Sequence, residues 1–455
     1  MTTAPTTDER PTRLRRAVTG PLLFLFILGD VLGAGVYALV GELSGESGGM
    51  LWLPLLVALL MAMLTAASYA ELVTKYPQAG GSAVYAQRAF GRPLLSFLVG
   101  FSMLAAGVTS AAGLSLAFAG DYLGTFLDVP AVPTAIVFLA LVAALNARGI
   151  QESLRANVVM TAVELSGLVL VVVLGAVVLG RGDGDASRLT QLPEGTGVAA
   201  ATLGGALIAF YSFVGFETSA NIAEEVRDVR RVYPRALFGA LATAGVVYLL
   251  VGLVAPSAVD PRDLQTSSGP LLEVVEAAGG VPLEVFSAIA LVAVANGALL
   301  TMIMSSRLAY GMADEGLLPS VFSRVLPARR TPVVAIVATT GVAMVLTATG
   351  SLVDLASTVV LLLLLVFLST NVAVLVLRRD RVPHDHFRAW TALPVLAAAT
   401  CLGLLTQQQA RHWLLAGVLL ALGVVLYALA RWTGRRAGTR EPASTEAVPA
   451  GTPDA

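Results

Sequence analysis

The chain has 455 residues, of which 56% are hydrophobic and 13% charged, with a mean hydropathy of +0.80. A soluble domain carries nearer to about 25% charge, so the composition excludes a water-soluble enzyme or binding module as the whole chain. The formal net charge of −1 leaves no basic footprint for nucleic acid, and a single cysteine, Cys401, excludes an internal disulfide or a cysteine-based metal site.

A hydrocarbon core of roughly 30 Å takes about 20 apolar residues per helix. By that ruler the sequence contains twelve apolar segments, at 21–44, 51–74, 93–120, 131–147, 156–180, 199–224, 234–255, 283–312, 332–349, 352–377, 390–406 and 411–431. Only Gly350 and Ser351 separate the ninth from the tenth. The transmembrane domain is therefore read as residues 21–433. Residues 1–20 and 434–455 are read as disordered tails, since 1–12 and 434–455 are rich in Thr, Pro, Ala, Gly and charge. The basic cluster Arg13-Leu14-Arg15-Arg16 precedes an apolar run that is long and has no small-residue cleavage site, which predicts a retained first span. Of the 29 Lys and Arg residues, only Arg181, Arg188, Arg262 and Arg411 fall in loops that follow odd-numbered segments. The other 25 lie at the termini or in loops after even-numbered segments, a positive-inside bias that predicts cytoplasmic termini. The expected location is the plasma membrane of a bacterium.

The first segment contains Gly29-Asp30-Val31-Leu32-Gly33-Ala34-Gly35-Val36-Tyr37. Glycine costs a helix roughly 1 kcal/mol per site against alanine, and a lipid-facing helix has no use for three of them. A helix that breaks mid-membrane and offers its freed backbone groups to a solute does. The sixth segment carries a matching run, Tyr211-Ser212-Phe213-Val214-Gly215-Phe216-Glu217-Thr218-Ser219. Segments one and six each open a set of five. The expected fold is thus an all-α integral membrane protein of about 12 transmembrane helices: two inverted five-helix repeats, 1–5 and 6–10, with helices 1 and 6 broken, plus two additional helices. Such a pair of breaks points to the binding site of a secondary transporter.

Past a break, the following half-helix presents N–H groups without intrahelical partners and a positive dipole end, which suit a carboxylate. The half-helix before it ends in free carbonyls, which suit an ammonium. An α-amino acid carries both groups. Gly33 and Gly35 could instead serve close helix packing, a reading weakened by the matching break in segment six.

Ionisable side chains in mid-membrane are costly, about 3 kcal/mol on insertion scales, and mark function by default. Asp30, Glu164 and Glu217 are the three acids so placed. A carboxyl held away from water can trade a proton near neutral pH. Glu71, at the end of segment two, and the cluster Arg227, Arg230, Arg231 and Arg235 are candidate gate partners, the latter for Glu224, Glu225 or Asp228. Thr109, Ser110 and Ser357 are candidate pocket residues, and Phe216 is read as core. His384-Asp385-His386 lies in a loop without a third ligand and is read as solvated, so no metal is expected. The stretch Gly180–Thr196 reads as an exposed connection. No metalloprotease or nucleophile-elbow motif occurs, which argues against a membrane-embedded enzyme; nothing resembles a filter repeated around a pore. No cofactor is called for.

At this level of detail the chain resembles the amino acid–polyamine–organocation superfamily. Gly33-Ala34-Gly35-Val36-Tyr37 is similar to that family's break in helix 1. Tyr76-Pro77-Gln78-Ala79-Gly80-Gly81-Ser82, with Tyr85 and Gly91, is similar to its first cytoplasmic loop. Phe213-Val214-Gly215-Phe216-Glu217, Ala223-Glu224-Glu225-Val226 and Tyr233-Pro234-Arg235-Ala236 resemble its helix 6 and the loop that follows. Ser306 to Ala313 and Glu315-Gly316-Leu317-Leu318-Pro319 resemble the end of its helix 8. The resemblance implies a permease that moves an amino acid by alternating access with a proton, or sodium, as the coupling ion. A polyamine or ethanolamine carrier, or an amino-acid exchanger, is the variant reading. The resemblance further assigns carboxylate recognition to the backbone at Ala34 and Gly35. It assigns ammonium recognition to carbonyls at Val31, Tyr211, Ser212 and Val214, with Tyr211 as a lid. Glu217 is the leading coupling candidate. Glu164 stands where proton-dependent relatives often place a lysine, and Asn296 and Thr301 where relatives line a cation site. The chain's one lysine, Lys75, lies in a loop on this reading.

Overall fold

The computed structural model describes residues 18–32, 35–78, 80–148, 153–326 and 331–438. Among them every extended element is helical. In chain order the α-helices are α1 (Gly20–Leu32), α2 (Gly35–Ser47), α3 (Trp52–Lys75), α4 (Gly81–Phe90), α5 (Pro93–Phe118), α6 (Asp121–Gly124), α7 (Ala131–Arg148), α8 (Ser153–Arg181), α9 (Val198–Ser212), α10 (Val229–Ala258), α11 (Pro261–Thr266), α12 (Pro270–Ala278), α13 (Leu283–Asp314), α14 (Val333–Thr349), α15 (Leu352–Leu377), α16 (Ala392–Gln407) and α17 (Ala410–Gly438). Ten spans among the described residues are long and apolar enough to cross a membrane. The ninth and eleventh sequence segments form shorter apolar helices, α14 of 17 residues and α16 of 16. The ninth and tenth segments separate at Ser351, whose hydroxyl caps α15 by accepting the Asp354 N–H at 3.3 Å.

Of the two predicted breaks, the one in the first segment falls on Gly33 and Ala34, which lie outside the described residues between α1 and α2; the one in the sixth segment is present. The sixth stops at Ser212 and resumes as a 3-10 helix, Phe216–Glu225, rather than as α-helix. The local reason is Gly215, whose φ of +125° turns the chain out of the helix, followed by a run in which Ser219 bonds back to Phe216 O at 2.5 Å.

Packing reveals the repeat. Exchange the first segment for the sixth, α3 for α10, α5 for α13, α7 for α14 and α8 for α15, and the main contacts map onto one another. Thus α1 packs on α10 as α9 packs on α3, and α1 on α8 as α9 on α15. Likewise α5 packs on α15 as α13 packs on α8, and α5 on α14 as α13 on α7. The pairs α3–α10, α5–α13 and α7–α14 map onto themselves. Five spans per repeat is an odd number, so the second repeat runs through the membrane inverted relative to the first. Helices α16 and α17 stand outside this relation and pack on α15.

Phe216 is core, as its sequence context suggested: it is fully buried, stacks on Phe367 at 5.4 Å and meets Tyr69 edge-on at 5.7 Å.

Three features differ from the expectations. Residues 81–90 form α4, a helix between αL glycines at Gly80 (φ +102°) and Gly91 (φ +61°), where a plain loop was expected; the first apolar ruler misses it because it is short. The stretch Gly180–Thr196 is largely exposed as expected, yet it is also docked: Trp52 Nε1 donates to Leu189 O at 3.2 Å, Gly49 N to Gln191 O at 3.0 Å and Asp185 N to Ser257 O at 2.8 Å. Finally, Lys75 ends α3 instead of lying in a loop, and the nearby gate candidate Glu71 is held at the end of α15. Its carboxylate takes a two-pronged ion pair from Arg378, at 3.0 Å from Nε and 2.8 Å from Nη2, and the Ala389 N–H at 2.9 Å. Arg378 in turn donates to Thr391 Oγ1 and Ala389 O. Lys75, the last residue of α3, donates to Leu377 O and Asp380 O. The end of α3 therefore clamps the end of α15 and the connection to α16.

Candidate functional site

The two breaks meet. A Cβ placed on Gly35 would lie 2.7 Å from the Ser212 Cα, and one on Gly215 would lie 2.6 Å from the Asp30 carbonyl oxygen. Both positions therefore require glycine: Gly35 for the close approach of α2 to the end of α9, Gly215 for that approach and its positive φ. The Thr218 hydroxyl hydrogen-bonds Asp30 Oδ2 and ties the end of α1 to the 3-10 segment.

Between the breaks lies a cavity of about 60 Å³. Asp30, Val31 and Gly35 line it from the first segment, and Tyr211, Ser212, Val214, Gly215, Glu217 and Thr218 from the sixth. The remaining wall comes from Met103, Ala106, Gly107, Ser110 and Leu114 of α5, Gly297, Thr301 and Met304 of α13, and Val359 and Leu363 of α15.

Tyr211 is 7% exposed, and its hydroxyl pairs with that of Ser110 at 2.9 Å, joining α9 to α5 over the cavity. The Val31 carbonyl accepts a hydrogen bond from the Tyr248 hydroxyl of α10 at 2.6 Å. One lone pair of that carbonyl is thereby used, a partner 217 positions away in sequence that no local pattern announces. The Tyr211 carbonyl accepts the Val214 N–H at 3.1 Å, a turn that holds the sixth segment's break.

The three acids separate into two places. Asp30 and Glu217 line the cavity, and Glu217 Oε2 accepts the Gly215 N–H at 2.9 Å. Glu164 is fully buried elsewhere, on α8 against α1 and α13. Its Oε1 accepts from Asn296 Nδ2 at 2.9 Å, and Asn296 also reaches Asn157 Oδ1 at 3.4 Å. Glu164 Oε2 and Asn157 Nδ2 have no hydrogen-bond partner among the described residues. Buried polar atoms in that condition are rare in native structures and invite an explanation. The Tyr37 hydroxyl donates to the Glu164 carbonyl at 2.7 Å, joining α2 to the same cluster.

Of the sequence-derived site residues, the structure gathers Asp30, Val31, Gly35, Tyr211, Ser212, Val214 and Glu217 around one cavity, and sets Glu164 with Asn296 apart from it. Gly33 and Ala34 fall outside the described residues. Ser110 and Thr301 line the cavity, whereas Thr109 bonds back to Ala105 O within α5. Ser357 lines a second cavity of about 730 Å³ instead, with Glu46, Asp354, Gln408, Arg411 and His412. His384 and His386 lie edge to face with ring centroids 6.4 Å apart; among the described residues no group of three His, Cys, Asp or Glu is placed to hold a metal. Sequence reasoning drew pocket residues from segments three, eight and ten, which form this wall, but missed Thr218, Tyr248 and the wall's apolar side chains such as Met103, Met304 and Val359. Thr218 alone carried a signal, as a hydroxyl within the second glycine break.

Residues 22–427 match the family described as amino acid permease. The chain is 34% identical over 400 residues to cationic amino acid transporter 2, vacuolar, of Arabidopsis thaliana, covering 82% of this chain and 61% of that protein. It is 26% identical to the methylthioribose transporter of Bacillus subtilis, covering 91% of this chain and 93% of that protein. It is also 32% identical to an uncharacterized transporter of Mycobacterium tuberculosis, over 71% of each. The chain spans 61%, 56% and 65% of the lengths of three Arabidopsis cationic amino acid transporters that it matches.

Proposed function

The chain belongs to the amino acid permease family, and from that premise we propose that it carries an α-amino acid across the plasma membrane by alternating access, driven by protons. The observation that supports this reading is the cavity lined by Asp30, Val31 and Gly35 of the first segment and by the break of the sixth. On this reading the start of α2 supplies N–H groups for a carboxylate, and the sixth segment's break supplies carbonyls for an ammonium. An amine without a carboxylate would leave the α2 N-terminus unused, which favours an amino acid over a polyamine or ethanolamine. The positive-inside bias of the loops supports cytoplasmic termini.

Transport in this reading proceeds in three physical stages. The zwitterion replaces water at groups already held by the fold, so little reorganisation is needed. Its carboxylate and ammonium bridge α2 and the end of α9, drawing the two segments together. Closure on one face then favours opening on the other, because the two half-sites belong to segments related by the repeat. Glu217 is the leading proton carrier: it lines the cavity, and its carboxylate hydrogen-bonds the backbone of the second break. A second reading is favoured by a specific observation. The unpartnered Glu164 Oε2 and Asn157 Nδ2 make the α1–α8–α13 cluster a place for a proton or a cation such as sodium.

Uptake by the purified protein in proteoliposomes tests the reading. A panel of labelled amino acids and amines is offered with and without an inward proton gradient. The expected result is accumulation of at least one α-amino acid that collapses with the gradient. Uptake of amines alone, or of none of the panel, would contradict it.

A further inference from the structure

We propose that the substrate is a neutral α-amino acid with a small or apolar side chain, an inference that rests on the permease reading of the central cavity. With the carboxylate at the α2 N-terminus and the ammonium at the carbonyls of the sixth segment, the substrate Cα projects its side chain away from both breaks. The surface it meets there is the wall of α5, α13 and α15.

That wall is apolar. Met103, Leu114, Met304, Val359 and Leu363 supply its large side chains, and Ala106 and Gly107 the small ones. Its two hydroxyls are already engaged, Ser110 with Tyr211 at 2.9 Å and Thr301 with the Gly297 carbonyl of its own helix at 2.9 Å. No lining residue on these three helices is charged. The cavity's two acids, Asp30 and Glu217, belong to the broken segments, and each already accepts a hydrogen bond, from the Thr218 hydroxyl and the Gly215 N–H respectively. An ammonium or guanidinium pressed into the apolar wall would be a buried charge without a counter-ion, which costs several kcal/mol.

The two methionines are the flexible part of the wall and could admit a larger apolar side chain by changing rotamer. The relatives named as cationic amino acid transporters would then differ from this chain in the residues facing the substrate side chain.

The test is competition in proteoliposomes. Labelled alanine uptake by the wild-type protein is measured against a hundredfold excess of unlabelled glycine, alanine, leucine, lysine, arginine or putrescine. Glycine and alanine are expected to suppress uptake at least about tenfold, and lysine, arginine and putrescine to leave it within about twofold. Suppression by lysine or arginine equal to that by alanine would overturn the proposal and place the side chain against Asp30 and Glu217. Labelled lysine or arginine taken up while alanine is not would likewise overturn it and leave the permease reading intact. No uptake of any amino acid would refute the permease reading itself, and this proposal with it. A second arm trims the wall. Met304→Ala and Met103→Ala should each raise the ratio of leucine to alanine uptake at least about tenfold, the scale of one or more methylenes in an apolar pocket. Ratios unchanged in both, measured on protein that still transports alanine, would overturn the assignment of that wall to the side chain.

Discussion

Replacing Gly35 with leucine is expected to abolish substrate binding in a protein that still folds, and replacing it with alanine to weaken binding by about 5- to 150-fold. The alanine figure follows from overpacking: a single Cβ at this position lies 2.7 Å from the backbone of Ser212, which cannot give way as the end of a side chain could. Forcing an extra carbon into a close-packed junction costs about 1–3 kcal/mol, and about 1.4 kcal/mol is a factor of ten in affinity. The strain falls on the contact between α2 and the end of α9, where the substrate is proposed to sit. Leucine adds the further loss of the space itself. Gly311→Ala is the control, since nothing stands within 4 Å of a Cβ there. A thermal-shift titration with the transported amino acid reads all three variants. Ligand stabilisation of Gly35→Leu equal to that of the wild type would remove the substrate from this junction.

The second large effect concerns coupling. A proton gradient of one unit is worth about 1.4 kcal/mol per proton, so a permease moving one proton per substrate concentrates it about tenfold per pH unit. Glu217→Gln retains an oxygen that can accept the Gly215 N–H, and so should preserve the break. It removes the titrating group. The variant is expected to exchange substrate in counterflow within a few-fold of the wild type, yet to fill vesicles only to the external concentration when a gradient is applied. Its uptake should also lose the rise that the wild type shows as external pH falls. Glu164→Gln is the paired experiment. Retained accumulation in Glu217→Gln with loss in Glu164→Gln would move the proton to the cluster of Glu164, Asn296 and Asn157. Accumulation unchanged in both would exclude both carboxyls as carriers and direct attention to a sodium gradient.

Much of this arrangement was legible in the sequence because membrane burial writes strongly. Long apolar runs marked the spans, since each backbone polar group in lipid must be satisfied within its own helix. Glycines at 29, 33, 35 and 215 stood out against that background, and so did Asp30, Glu164 and Glu217, because each is expensive there. What stayed hidden was whatever apolar residues do for one another. Met103, Met304 and Val359 are indistinguishable by type from side chains that face lipid, so only the packing of α5 against α13 and α15 shows which of them reach the cavity. The hydrogen bond from Tyr248 to Val31 was hidden for the same reason: both residues lie in apolar runs of ordinary appearance. Glu71 shows the limit of reading charge alone. The sequence reading made it a gate candidate without a named partner, and the partner it has, Arg378, is brought in at the end of α15 from 307 positions away. The 3-10 conformation of residues 216–225 was unpredicted as well, because hydroxyl-to-backbone bonds such as that of Ser219 compete with the α-helix only once the Gly215 turn is set.

The central claim is that the substrate sits between the two breaks, and an experimental density map of the protein saturated with its transported amino acid tests it most directly. Density for the ligand is predicted against Gly35 and the backbone of Tyr211 to Val214, beneath the Tyr211 ring, with its side chain toward Met103 and Met304. Density confined to the second cavity beside Glu46, Asp354 and Arg411, with the space between the breaks filled by protein, would contradict it.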